Sequence, residues 1–161
     1  MASSFKTIGI IGLGLIGGSI ARALNRADER YIIKAWDKDE SNIKSALSQK
    51  VIHEHAYNLR HDFSTCDIVI LSVPVFAMKD ILNELKDNLK EECVLTDVGS
   101  TKSDVTSLIK QMNIKNSFIG GHPLAGSEKS GFAASRANLF ENAYYILTPD
   151  NDTNKSALNI I

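Results

Sequence analysis

The stretch Ile8-Gly9-Ile10-Ile11-Gly12-Leu13-Gly14-Leu15-Ile16-Gly17-Gly18-Ser19-Ile20-Ala21 gathers the residue types that can hold a phosphate ester. It reads as a short apolar strand, a Gly-x-Gly-x-x-Gly turn at Gly12, Gly14 and Gly17, and the start of a helix. Gly12 allows the tight strand-to-helix turn. Gly14 has no Cβ, so the backbone can approach a pyrophosphate. Gly17 lets the helix lie close to the strand. The free N–H groups at the helix start, together with its partial positive charge, suit phosphate oxygens. Asp37 follows twenty residues after Gly17, at the end of a second apolar run. A carboxylate there accepts hydrogen bonds from the free ribose hydroxyls of NAD and repels the additional phosphate of NADP, which needs a cation. The expected cofactor is therefore NAD. Two features compete with this reading. Lys38 stands next to Asp37 and can swing toward a phosphate, and Asp37 also suits the start of the helix that follows it.

These residues need a frame that brings them to one edge. Apolar runs alternate with helical periodicity along the chain. Strands are expected at Thr7 to Ile11, Tyr31 to Trp36, Asp67 to Val73, Cys93 to Asp97, Phe118-Ile119 and Ala143 to Leu147. Helices are expected at Ile16 to Asn25, Asp39 to Gln49, Phe76 to Leu89 and Thr101 to Met112, the last with Ser100 or Thr101 as N-cap. Alternation with short links implies an α/β fold, a doubly wound and mostly parallel sheet covered on both faces. Such sheets bind ligands beyond the carboxyl ends of their strands. Gly, Ser, Asp and His collect at those ends: Gly12 to Gly17, Asp37, Ser72-Val73-Pro74, Thr96-Asp97-Val98-Gly99-Ser100 and Gly120-Gly121-His122-Pro123. The expected cofactor contacts are Gly12, Gly14, Leu15, Ile16, Gly17, Asp37, Ser72, Val73, Pro74 and Asp97.

Composition narrows the classes. A chain of 161 residues suffices for one domain with a proper core. A formal net charge of -1 gives no electrostatic reason to expect nucleic acid or an acidic membrane surface. No apolar stretch approaches a membrane span, and the N-terminus enters the first strand without a signal-peptide core. Cys66 and Cys93 each sit beside apolar strand residues, which fits buried free thiols and a cytoplasmic location. His53, His55 and His61 occupy a polar connection. Their spacing lacks the third ligand and the rigid element of a metal site, so no metal is expected. The sequons at Asn151-Asp152-Thr153 and Asn154-Lys155-Ser156 carry no weight without a secretion signal. After residue 150 the chain looks like an N-cap and the first turns of a helix. Leu158, Ile160 and Ile161 there have little to pack against, so they either cap this domain or begin a further one.

Four stretches together resemble the prephenate/arogenate dehydrogenase family of tyrosine biosynthesis. They are Gly12 to Ser19, Ser72-Val73-Pro74, Thr96-Asp97-Val98-Gly99-Ser100-Thr101-Lys102, and Gly120-Gly121-His122-Pro123-Leu124-Ala125-Gly126-Ser127-Glu128-Lys129-Ser130-Gly131. The last two are the specific ones, and the resemblance runs from Lys6 to about Pro149. It implies a Rossmann-type domain over residues 1–150, with 151–161 leading toward a helical domain that this chain does not match. In the family that helical part dimerises and completes the substrate pocket, including an arginine for a substrate carboxylate. Alone, the 161 residues are therefore expected to bind NAD and to turn over poorly.

The resemblance implies oxidative decarboxylation of prephenate to 4-hydroxyphenylpyruvate. His122 would take the ring-hydroxyl proton, a task suited to imidazole near neutral pH. Ser100 would hydrogen-bond near that hydroxyl, and its bland role is to cap the helix from Thr101. Ser127 and Glu128 would lie at the substrate mouth, or simply on a solvated loop. Lys129 would draw anionic substrate or face water, and His122 itself has a purely structural alternative. Rival readings are an arogenate dehydrogenase, a dehydrogenase of the β-hydroxyacid or imine-reducing kind, and an NAD-sensing module without chemistry.

Overall fold

The structure is a computed structural model that describes residues 6–150, 153 and 155–161. Ten expected elements form, at nearly the expected places: β1 (Lys6–Ile11), α1 (Leu15–Ala27), β2 (Tyr31–Trp36), α2 (Glu40–Ser48), β4 (Ile68–Leu71), α4 (Val75–Leu85), β5 (Val94–Asp97), α5 (Lys102–Gln111), β6 (Phe118–Pro123) and β7 (Tyr145–Pro149). Three short helical or extended pieces complete the order: β3 (Glu54–His55), α3 (Leu59–Asp62) and α6 (Lys155–Leu158). A one-turn 3-10 helix covers Phe132–Ala134.

The strands make one seven-stranded sheet in the order β3-β2-β1-β4-β5-β6-β7. All neighbours run parallel except β6 and β7. The order reverses at β1, between β2 and β4, which is where a doubly wound sheet opens a crevice. Helices cover both faces. Ile8, Ile10, Ile33 and Ile70 pack with Ile20 of α1 and Ile43 of α2 on one side. Ile11, Val69, Leu71 and Leu95 pack with Met78 and Leu82 of α4 and Val105 of α5 on the other. All of β4 is buried, as a strand covered on both faces must be. Cys66 and Cys93 are free and fully buried, as the sequence leads one to expect.

The departures have local causes. β6 was expected to end at Ile119 and instead runs to Pro123, because β7 pairs with it antiparallel from Ile119↔Pro149 to Pro123↔Tyr145. His122 is therefore a strand residue opposite Ile146, not a loop residue beyond a strand's end. α4 stops at Leu85, four residues early, though Leu89 still packs against the core. Thr101, not Ser100, holds the N-cap position of α5, without a side-chain cap. The histidine-bearing connection is more ordered than its polarity implies. His53 Nδ1 accepts a hydrogen bond from Ile33 N at 3.0 Å, and His55 lies on β3 with its ring 3.8 Å from that of Tyr57. In α6, Ala157 is buried against Val94 and Ile119, with Leu158 beside them. The expected N-cap and sequon residues Asn151, Asp152 and Asn154 lie outside the described residues.

Candidate functional site

The glycine turn is built by contacts that leave no room for side chains. Gly12 adopts φ +94°, and a Cβ there would lie 2.3 Å from Ser72 O. A Cβ on Gly17 would lie 1.9 Å from Gly12 O, so α1 can begin this close to β1 only with glycine at that position. Gly14 differs from both. A Cβ on Gly14 would meet nothing within 4 Å, because it faces open space at the mouth of the turn. Gly14 is also the N-cap of α1, makes no side-chain cap, and is followed by a first turn without an acid. Backbone donors and an uncompensated helix dipole thus face that space.

Asp37 closes the turn from the β2 side. Its Oδ2 accepts from Leu13 N at 2.5 Å, and its Oδ1 accepts from Asp39 N at 2.8 Å. These bonds fix the glycine turn and order the chain into α2, so the expected place at the helix start is seen. Asp39 itself caps α2 by accepting from Ser41 N.

The β5–β6 side is organised by a buried ion pair. Asp97 is fully buried, and its carboxylate accepts from Gly99 N at 2.9 Å and Gly121 N at 3.2 Å. It also pairs with the Lys102 ammonium, which in turn donates to Gly121 O at 2.7 Å. Burying a carboxylate costs several kcal/mol unless a countercharge and hydrogen bonds replace water. Here one cation and two amides do so. The side chain of Asp97, a residue expected among the cofactor contacts, is thus turned inward and engaged by these groups.

His122 follows Gly121 directly. It is half-buried, and its Nδ1 is enclosed with no hydrogen-bond partner among the described residues. Ser100 lies exposed on the turn before α5, and the described residues contain no hydrogen bond between it and His122. Ser127 and Glu128 are exposed on the connection after β6, where Ser127 Oγ accepts from Lys129 N at 3.1 Å.

That connection folds back over α1. Phe132 and Ser135 pack where a side chain on Gly18 would stand, at 2.8 and 2.9 Å from its Cβ position. Arg136 N donates to Ser19 Oγ at 3.0 Å, and Arg22 Nε donates to Ser135 Oγ at 2.8 Å. The Arg22 guanidinium lies 4.8 Å from the Phe132 ring centroid. This seam closes a cleft of about 390 Å³ at the carboxyl edge of the sheet. Gly14, Leu15 and Ile16 meet Ser72, Val73, Val98 and Gly99 there, with Lys129, Ser130 and Gly131 opposite. Of the expected cofactor contacts, five line this cleft: Gly14, Leu15, Ile16, Ser72 and Val73. Gly12, Gly17 and Asp37 shape it from behind, and Pro74 serves as the N-cap of α4. Another hollow, of about 340 Å³, lies over Ile8, Ile68 and Ile70 beside α1, lined mainly by aliphatic side chains with Lys6, Tyr31, Thr96 and Tyr145 among them.

Comparison with known proteins gives this geometry a context. Residues 20–161 match the family model described as prephenate dehydrogenase, nucleotide-binding domain. The chain belongs to that family. It is 41% identical over 148 residues to a prephenate dehydrogenase of Lactococcus lactis, covering 90% of this chain and 41% of that protein. Its fold superposes with a TM-score of 0.88 on a prephenate dehydrogenase of Aquifex aeolicus solved with hydroxyphenyl propionate and NAD+, at 36% identity, over 99% of this chain and 56% of the other. A Synechocystis arogenate dehydrogenase gives a TM-score of 0.87 at 32% identity, over 96% and 54%. The chain thus spans about half the length of the relatives it matches, or less.

For a prephenate dehydrogenase nucleotide-binding domain, the residues that sequence reasoning passed over are Lys102, Ser19, Arg22 and Phe132. Lys102 stood inside a quoted motif without a task. The second glycine at 18 was the available sign that something packs on that face of α1. Nothing in the spacing pointed to Phe132 or Arg22 as its partners.

Proposed function

We propose that this chain is the NAD-binding half of an enzyme that oxidises and decarboxylates prephenate to 4-hydroxyphenylpyruvate. The observation that carries the reading is the uncapped start of α1 at Gly14, open to space where every other glycine of the turn is filled. That cradle fits a pyrophosphate: it offers backbone donors, a favourable dipole and no side chain in the way. Asp37 spends one lone pair of each oxygen on Leu13 and Asp39, and a carboxylate keeps others for ribose hydroxyls. Ser72 and Val73 at the end of β4, with Val98 and Gly99 after β5, form the floor along which the rest of the cofactor would lie.

NAD, when bound, supplies the acceptor for a hydride from the substrate's carbinol carbon. His122 takes the hydroxyl proton as that carbon becomes a ketone. The ring then loses carbon dioxide and becomes aromatic, so the step runs strongly downhill without a metal or a nucleophile. Ser100 hydrogen-bonds the reacting hydroxyl, and Ser127 and Glu128 stand at the substrate mouth. Lys129, lining the cleft, adds a positive charge for an anionic substrate. The relatives are about twice as long, which supports placing the remaining substrate contacts, and a dimer interface, in a helical domain outside residues 1–150. The two free, buried thiols fit a cytoplasmic setting.

The test is direct. NAD titrated into the 161-residue chain should quench or shift its Trp36 fluorescence with saturation, and the full-length protein should reduce NAD in the presence of prephenate. His122→Asn should lower that turnover about 100-fold or more while NAD still binds. Absence of NAD binding, or unchanged turnover in H122N, would remove the reading.

A further inference from the structure

Parallel pairing between β5 and β6 ends early. The register runs only over Leu95↔Phe118 and Thr96↔Ile119, two residues short of the position before His122. Beyond that point two side chains replace the missing strand. The Asp97 carboxylate accepts from Gly121 N, and the Lys102 ammonium donates to Gly121 O. Both main-chain groups of Gly121 on this side are thus held by one buried ion pair, whose members are 0% and 19% exposed. The free face of Gly121 is covered as well, since a Cβ there would lie 2.7 Å from both Cε1 and the hydroxyl of Tyr145. On its other edge, β7 holds the residue in register with Leu147.

We propose that Lys102 is a positioning residue for His122. With Asp97 it extends the β5 edge by side chains and fixes the peptide from which the imidazole projects. The proposal rests on His122 being the base. The chemistry favours a cation at this position over a neutral donor. A lysine here satisfies the buried carboxylate and a carbonyl at once, and a compact ammonium with three donors can serve both without a planar constraint. The aliphatic stem contributes too: a Cβ on Gly120 would stand 3.2 Å from Lys102 Cδ, so the stem lies against β6. His122 projects from the strand with Nδ1 enclosed and unpaired. Its orientation is therefore set by the backbone on which it stands and by packing, since no described residue hydrogen-bonds Nδ1. A base held in this way is sensitive to small movements of its peptide, and misplacement by about 1 Å can cost about 100-fold in rate.

The experiment uses Lys102→Met and Asp97→Asn. Each is read by thermal unfolding, by the 15N spectrum of the His122 imidazole and the NAD affinity of the 161-residue chain, and by kcat and KM in the full-length protein with prephenate. In folded K102M the expected result is NAD affinity within about threefold of the parent, a His122 Nδ1 resonance that broadens or splits, and kcat lower by about 100-fold with KM for NAD little changed. D97N keeps the shape and an acceptor for Gly121 N but loses the charge, so it should show the same signature with a smaller loss, about tenfold. A sharp, unshifted His122 resonance with kcat within threefold of the parent, in whichever of the two variants folds, overturns the proposal. Were both unfolded, amide exchange in the parent decides: a Gly121 amide as protected as that of Ile119 supports the clamp, and one exchanging like a loop amide overturns it. A parent protein that neither binds NAD nor oxidises prephenate defeats the functional reading instead, and the imidazole spectra still decide the clamp.

Discussion

The β1–α1 side of the cleft and the β5–α5–β6 side hold their working groups in opposite ways. On the first, positions matter for the side chain they lack. Gly12 and Gly17 pack backbone on backbone, and the groups offered outward are amides at the start of α1. On the second, a fully buried carboxylate and a nearly buried ammonium do the holding, and the residue that follows the held peptide is His122, whose half-buried imidazole has its Nδ1 enclosed. The first arrangement is rigid by steric exclusion and insensitive to charge. The second depends on an ion pair that is worth its desolvation only while both partners are present. The difference teaches that the proposed cofactor cradle and the proposed base on one sheet edge can fail independently.

The sharpest way to break that comparison is within the glycine turn itself. Gly17→Ala forces a methyl to within 1.9 Å of a main-chain oxygen, which neither neighbour can yield without moving β1 from α1. The expected cost is about 3 kcal/mol or more, read as a large fall in Tm together with loss of NAD binding. Gly14→Ala meets nothing within 4 Å and should leave Tm nearly unchanged, within about 1 kcal/mol. It should still weaken NAD about tenfold or more, because the methyl enters the space assigned to the pyrophosphate. Calorimetric melts and titrations of both variants check this. If the two behave alike, the distinction between filled and open glycines falls.

Asp37 is the one side chain on which the first side relies, so it tests whether that side is as independent of charge as its glycines imply. Asp37→Ala removes the acceptor for Leu13 N and, in the proposed binding mode, the acceptor for the ribose. Hydrogen bonds to a charged group are worth about 1.5–3 kcal/mol, which corresponds to between about tenfold and a hundredfold in NAD affinity. NADP affinity should fall less, because the lost carboxylate also repelled its phosphate. Parallel titrations of the two cofactors give the ratio, and equal losses would confine Asp37 to holding the turn.

The two sides were also unequally legible. The glycine turn could be read because its signal is local: strand, spacing and helix start lie within one stretch, and Asp37 marks the end of the next strand. The extent of β6 could not, because it is set by a partner far along the chain. Gly120, Gly121 and Pro123 are poor strand residues by propensity, and only pairing with β7 makes them one. The inward pairing of Asp97 was hidden for a related reason. An acid at a strand's carboxyl end is as suited to binding outward as to pairing inward, and the deciding neighbour, Lys102, sits on the next helix. The packing of Phe132 and Arg136 on α1 joins residues more than a hundred positions apart. No periodicity carries such information.

Between the two sides lies β4, and just before β4 and β5, at the ends opposite the cleft, stand Cys66 and Cys93. Burial pushes both thiols up to about 12, with the nearby Asp67 carboxylate adding to the rise and Lys90 opposing it. The consequence for stability has a definite sign. A thiol whose folded value lies above its unfolded value, near 9, is neutral in both states below that pH, so the fold pays nothing for keeping it dry. As pH rises past 9 the unfolded chain ionises first, and stability falls until the folded thiol also ionises near 12. Near pH 9.5 the loss should be on the order of 1 kcal/mol for each thiol. Denaturant unfolding of the parent and of a Cys66→Ser, Cys93→Ser double variant, compared at pH 7.5 and 9.5, isolates this part from other alkaline effects. The parent should lose more stability across that interval than the variant, while NAD affinity of the folded protein stays the same. An equal loss in both would place the alkaline weakness elsewhere, with the Asp97–Lys102 pair the first place to look, since deprotonation of the lysine would leave a fully buried carboxylate without its countercharge.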